Sequence, residues 1–218
     1  MRFDVRMSGL GGQGMVTAAH VLGSAAVKDG NYGIVVPFFG AEKRLAPTES
    51  YVRISTEPVY EKGEVTYPNV IMVFHEEVIT KGKCYTMPFY DGLRPDGRLI
   101  INTDNVESVL SEKHIRDLEK LNVGIFYLPA TKVALEVAGT ELATNMAMLG
   151  ALIGVTNIVT FDSLEESIAE RFGRRRFVAS ATTAALDDVL KKRYAKLQEL
   201  VRKNMEAVRI ASELVEEW

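Results

Sequence analysis

The run GLGGQGM (residues 9–15) constrains this chain more than any other stretch. It follows RFDVRM, which alternates apolar and polar residues as a strand does, and it leads into a run with helical spacing. A tight turn out of a strand needs positive φ, and a helix packed close to its strand needs a missing Cβ. Gly9, Gly11, Gly12 and Gly14 supply both. The turn also leaves backbone N–H groups at a helix start, where an anion sits well. Gly9, Gly11 and Gly14 spell G-x-G-x-x-G, the phosphate-binding fingerprint of dinucleotide folds. That fingerprint also wants an acid roughly 20 residues further on, at the end of the second strand, to hold a ribose. Here the second strand ends GIVVPFFG, so Pro37, Phe38 and Phe39 fill that place, and the next acid is Glu42 in a loop. A free-standing NAD(P)-binding reductase is therefore the lesser reading. A structural turn and a loop offered to a partner or a ligand phosphate both stay open.

The rest of the chain alternates strand and helix patterns. Strands are expected at about Phe3–Met7, Ile34–Val36, Glu49–Ser55, Asn69–Phe74, 98–103 and 123–129, and helices at Gln13–Lys28 and 111–121. Pro37 is expected to end the second strand. NVIMVF is apolar throughout, as a strand covered on both faces is. From Thr131 the pattern turns helical. TNMAMLGALIGV (144–155) is apolar on nearly all sides and reads as buried. FDSLEESIAERFG carries an expected capping box, Ser163 with Glu166. An amphipathic helix is expected from Leu186 to the end. The fold class is α/β: a layered sheet, largely parallel, flanked by helices, with a helical C-terminal third. Residues 1–185 read as the α/β domain, and 186–218 as a helix that packs on it or on a partner.

Composition removes several function classes. A net charge of -3 argues against a wholly basic nucleic-acid surface. The single cysteine, Cys84, excludes an internal disulfide and a cluster held by four thiolates. His20, His75 and His114 lack ligand spacing. No signal peptide and no membrane-length apolar run is found, so the expected setting is cytoplasmic, with no membrane partner. Cys84 reads as a small buried residue, His20 as a packed or surface histidine, and RFGRRRF (171–177) as a cationic helix end.

A second constellation, PFFGAEKRLAP (37–47), places two aromatics, an acid and two bases in one loop. Adjacent loop aromatics beside Arg44 look more like an interface anchor than a free surface. GLGGQG near the N-terminus, PFFGAEKR after it and TNMAMLGA later together resemble the gamma subunit of 2-oxoacid:ferredoxin oxidoreductases. An asparagine within the last helix, in VRKNMEAVRIA, also fits. The resemblance covers nearly the whole chain. It carries Gly9, Gly11, Gly12, Gln13 and Gly14 onto the family's glycine motif, and Phe39, Gly40, Ala41, Glu42, Arg44, Ala46 and Pro47 onto its second loop. Asn145 and Gly150 match the third motif. There are departures. The family usually has two arginines and a glycine before the Ala-Pro, where this chain has Lys43, Arg44 and Leu45. Its next strand usually opens apolar, where this chain reads TES (48–50).

The resemblance implies a complex that converts a 2-oxoacid, pyruvate or branched-chain, and coenzyme A to acyl-CoA and carbon dioxide. Electrons pass from a thiamine diphosphate adduct through iron–sulfur clusters to ferredoxin. It implies alpha, beta and delta-type partner subunits that hold thiamine diphosphate and the clusters, with no cofactor on this chain alone. No catalytic residue and no metal ligand is assigned here. Gly14 is expected to serve packing, and Gly12 and Gln13 to face a partner or ligand.

Overall fold

A computed structural model describes residues 1–40, 45–173 and 184–218. Its sheet has strands β1 (Arg2–Leu10), β2 (Tyr32–Phe39), β3 (Pro47–Ser55), β4 (Val70–Val73), β5 (Arg98–Asn102), β6 (Gly124–Leu128) and β7 (Glu216–Glu217). Their order across the sheet is β2-β3-β1-β4-β5-β6-β7. The four central strands β1, β4, β5 and β6 run parallel, and β2, β3 and β7 add antiparallel edges. The sheet is thus parallel at its centre and antiparallel at its margins.

Helices α1 (Met15–Lys28), α4 (Ala130–Ala138), α5 (Thr144–Thr156), α6 (Phe161–Gly173) and α7 (Ala184–Leu214) accompany one large core. Met7, Val52, Met72, Phe74 and Ile100 face that core from the sheet. Helices α2 (Glu77–Thr80) and α3 (Glu112–Lys120) cover the other face, over Ile71, Val73, Leu99 and Ile101. Period-two alternation explains the split: neighbours in one strand point to opposite faces. Both faces of β4 and β5 are covered, which is why NVIMVF and LII carry no polar residue inside the strand.

Three local expectations change. β2 runs through Pro37 to Phe39 instead of stopping before it. It is an edge strand, where a residue without an N–H is tolerated. Ser163 does not cap α6, which starts at Phe161. Thr160 accepts the Ser163 amide at 3.2 Å, and the Asp29 carboxylate binds the Thr160 amide and both hydroxyls. Burial works to raise the Asp29 pKa, but those bonds from Ser163 and Thr160 hold it below its ordinary value. The last helix ends at Leu214, after which the chain returns to the sheet as β7 beside β6.

TNMAMLGALIGV forms α5, buried as its composition implies. A Cβ on Gly150 would lie 2.2 Å from the Val208 carbonyl oxygen, and one on Gly154 2.3 Å from that of Ser212. These two glycines let α5 and α7 touch backbone to backbone.

Candidate functional site

Every parallel strand ends at one margin of the sheet, and the glycine turn occupies the end of β1. The helix after β1 lies over one face, whereas the elements after β4 and β5 lie over the other. The topology therefore reverses between β1 and β4, where open α/β sheets leave a ligand crevice. Gln13 spans that place. Its Oε1 accepts the Leu10 amide at 2.8 Å, and its Nε2 donates to the Phe74 carbonyl at 3.4 Å. Gly9 makes room for this, since a Cβ there would lie 2.8 Å from Gln13 Oε1 and 3.0 Å from Phe74 Cβ.

The other glycines do separate jobs. Gly11 pairs with the returning second loop: its amide donates to the Ala46 carbonyl at 2.9 Å, and its carbonyl accepts the Leu45 amide at 3.3 Å. Gly12, at φ +103, is exposed, and a Cβ there would meet nothing within 4 Å. Gly14, at φ +71, is the N-cap of α1, and its carbonyl accepts Asn145 Nδ2 at 3.0 Å. The third motif is thus tied to the first across 131 residues of sequence. Asn145 is 4% exposed, and its Oδ1 has no hydrogen-bond partner among the described residues.

The structure brings Gly9, Gly11, Gly12, Gln13, Gly14 and Asn145 together. Phe39 and Gly40 lie near the far end of the same margin, both exposed. Glu42 and Arg44 lie outside the described residues, as does most of RFGRRRF. Gln13 is turned inward as a brace and Gly12 faces out. The contact that Gly14 permits is with Asn145 of α5, not with the strand before it.

Sequence reasoning missed a ring of polar groups behind the turn. Asn102 Nδ2 donates to the Phe74 carbonyl and to Thr131 Oγ1, each at 3.0 Å, and its Oδ1 accepts the Thr131 amide at 3.3 Å. The hydroxyls of Thr144 and Thr131 are 3.5 Å apart. Through these contacts the starts of α1, α4 and α5 are joined. None of the three has a side-chain cap or an acid in its first turn. Their N-terminal dipoles favour an anion at this margin. The signal for Asn102 was a polar residue closing the apolar run LII in RLIIN.

A second missed group lies under the second loop. Glu49 is fully buried and accepts four bonds: from Tyr51 OH at 2.6 Å, from the Tyr85 and Thr86 amides at 3.1 Å, and from the Thr86 hydroxyl at 3.2 Å. Burial first, then the Glu49 hydrogen bond, pushes the Tyr51 phenol well above its usual range. Burial lowers the Arg6 pKa, and Glu49 opposes that shift. The clamp holds residues 85–86 against β3, so that Tyr85 meets Phe38 edge-on with centroids 4.8 Å apart. Phe38, Phe39, Leu45, Tyr85 and Met87 are all exposed apolar side chains, with Phe39 60% and Leu45 65% exposed.

Cys84 is the only cysteine in the sequence. Its thiol is half-buried, donates to the Val78 carbonyl and is pushed up to about 11, mainly by burial. Among the described residues no three His, Cys, Asp or Glu side chains stand where they would hold a metal ion. Nor is any helix among them long and apolar enough to cross a membrane.

Fold and site together define an α/β protein whose glycine turn closes the crevice of a parallel sheet and is buttressed by two distant loops. Residues 4–187 match the model of the pyruvate ferredoxin/flavodoxin oxidoreductase family, and the chain belongs to that family. The Thermococcus kodakarensis pyruvate/ketoisovalerate oxidoreductases common subunit gamma is 37% identical over 169 residues, covering 78% of this chain and 86% of that one. Pyruvate synthase subunit PorC of Methanothermobacter marburgensis is likewise 37% identical over 169 residues, with the same coverage of both chains. The crystal structure of pyruvate oxidoreductase subunit PORC from Thermotoga maritima superposes with a TM-score of 0.70 at 27% identity, covering 99% of this chain and 97% of that one.

Proposed function

We propose that this chain is the gamma subunit of a cytoplasmic 2-oxoacid:ferredoxin oxidoreductase. The complex decarboxylates pyruvate or a branched-chain 2-oxoacid, joins the acyl group to coenzyme A and passes electrons to ferredoxin. Thiamine diphosphate and the clusters belong to alpha, beta and delta-type partners, and this chain shapes a boundary between subunits. The relatives named as a common subunit gamma serve both pyruvate and ketoisovalerate oxidoreductases. By that precedent, choice of 2-oxoacid lies with the partners.

The observation that carries this reading is the meeting of three motifs at one margin. Gly11 pairs with the second loop, and Gly14 with Asn145 of the third. In this reading exposed Gly12 and the uncapped start of α1 receive the phosphates of coenzyme A, because amide N–H groups and a helix dipole favour an anion. Phe39 meets a partner subunit, since it is a large aromatic left 60% exposed at the end of β2.

Co-purification of the assembled complex, followed by assay with pyruvate and 2-ketoisovalerate, tests the whole reading. Phe39→Ala tests the interface. Truncating an aromatic anchor costs about 2 kcal/mol, which is roughly a 30-fold weaker association. The isolated chain should melt as before, because Phe39 is already exposed. Normal assembly of the variant would remove Phe39 from the interface.

A further inference from the structure

We infer that Asn102 is a positioning residue for the glycine turn. The inference rests on the reading that the turn receives coenzyme A. Asn102 closes β5, two strands away from the turn, beside a cavity of about 380 Å³ at the ends of β4–β6. Its hydrogen bonds go to Phe74 and Thr131, not to the turn itself. Its hold passes through the Phe74 carbonyl, which accepts Asn102 Nδ2 at 3.0 Å and Gln13 Nε2 at 3.4 Å. The shorter bond is the better one. Asn102 therefore fixes the carbonyl, and the carbonyl fixes Gln13. Gln13 in turn holds the Leu10 amide at 2.8 Å, at the root of the turn.

The residue type is dictated by what surrounds it. The side chain must donate to a carbonyl and a hydroxyl while accepting the Thr131 amide. A carboxamide does both. A carboxylate has acceptors only, so an aspartate would set an oxygen against the Phe74 carbonyl. The second arm reaches the start of α4 through Thr131, and Thr144 continues it toward Asn145, which grips Gly14. Asn102 thus acts on the turn at its root, through the Phe74 carbonyl and Gln13, while the second arm anchors Asn102 itself at the start of α4.

The test uses the assembled oxidoreductase carrying the variant chain. Asn102→Asp is expected to raise KM for coenzyme A about tenfold, the equivalent of one lost hydrogen bond. The turnover number at saturating coenzyme A should stay within about twofold, since a misplaced turn weakens ligand capture and not the chemistry on other subunits. A purely structural role would lower the yield of active enzyme and leave KM alone. Gln13→Ala should show the same KM rise, and the Gln13→Ala/Asn102→Asp double variant should be no worse than the worse single one, because both act through one carbonyl. If Gln13→Ala raises KM and Asn102→Asp does not, the positioning role is overturned and the coenzyme A reading stands. Multiplied effects in the double variant also overturn it. If neither Gln13→Ala nor Gly12→Ala moves KM, the coenzyme A reading falls and takes this inference with it. Asn102→Ala adds no charge and decides the matter should the aspartate chain not assemble: a KM rise supports the role and an unchanged KM overturns it.

Discussion

Replacing Gly14 by alanine should unsettle the meeting of the first and third motifs. The residue sits at φ +71, a conformation that costs an L-residue about 1–2 kcal/mol. The new Cβ would stand 2.6 Å from Asn145 Nδ2 and 3.1 Å from its Cγ. Asn145 is buried and cannot swing into solvent. It must move back, and its bond to the Gly14 carbonyl, worth about 1 kcal/mol net, is lost. Together these give a cost of about 2–4 kcal/mol, or a melting point about 5–15 °C lower for a chain of this size. Calorimetry of the isolated chain measures it. Asn145→Ala removes the obstructing amide, so the Gly14→Ala/Asn145→Ala double variant should lose less than the sum of the singles. Strict additivity would show that the two residues do not collide, and a Gly14→Ala melt within about 1 °C of the parent would dismiss both the strain and the clash. Gly12→Ala is the contrast: its φ of +103 also carries strain, but a Cβ there enters open space. It should cost less than Gly14→Ala.

Two further substitutions probe the second loop. Leu45 holds φ +56 with 65% of its surface exposed, so Leu45→Gly should relieve strain with little loss of packing and raise stability by about 0.5–1 kcal/mol in urea unfolding; a loss would mean that the side chain packs more than its exposure implies. Glu49→Leu strands two part-buried amides and removes a charge facing Arg6, so it should cost about 3–5 kcal/mol; Glu49→Gln retains a carbonyl acceptor and should cost about 1–2, and equal losses for the two would show that the charge itself carries the clamp.

Residue pattern revealed the layered fold because its signals are local. Unbroken apolar runs such as NVIMVF announce strands covered on both faces, and the glycine turn announces the passage from β1 to α1. The edges were less legible. Pro37 reads as a strand stop unless the strand is known to be outermost, which depends on the order of strands in space. β7 is two residues long and holds its place by pairing with β6, not by propensity. The site was legible only as separate motifs. Nothing local says that Asn145 reaches Gly14, or that Gln13 bends inward, because both depend on which loops share a margin. Asn102 and Glu49 were hard to single out for the same reason: each is a polar residue in or closing a strand, and the partners that set it apart lie 28 to 37 positions away.

The inward turn of Gln13 also explains how a dinucleotide fingerprint can stand in a chain without the acid that normally accompanies it. In a nucleotide fold the glycines clear space so that a pyrophosphate can approach the helix start. Here Gly9 clears space for a side chain of the same loop, and that side chain stitches β1 to β4 where the crevice would open. What remains accessible is Gly12 and the start of α1, a shallow edge suited to part of a ligand whose remainder lies elsewhere. The two departures from the family pattern fall close by. Leu45 stands, strained and exposed, where a glycine is usual, and TES places Glu49 beneath the segment that supports Tyr85. Both lie outside the ring of polar groups behind the turn. A substitution that costs backbone strain in order to expose a leucine is hard to explain within an isolated chain. It makes physical sense where a second subunit covers that leucine, which is the outcome that the Leu45→Gly and Phe39→Ala measurements, made in isolation and in the complex, jointly decide.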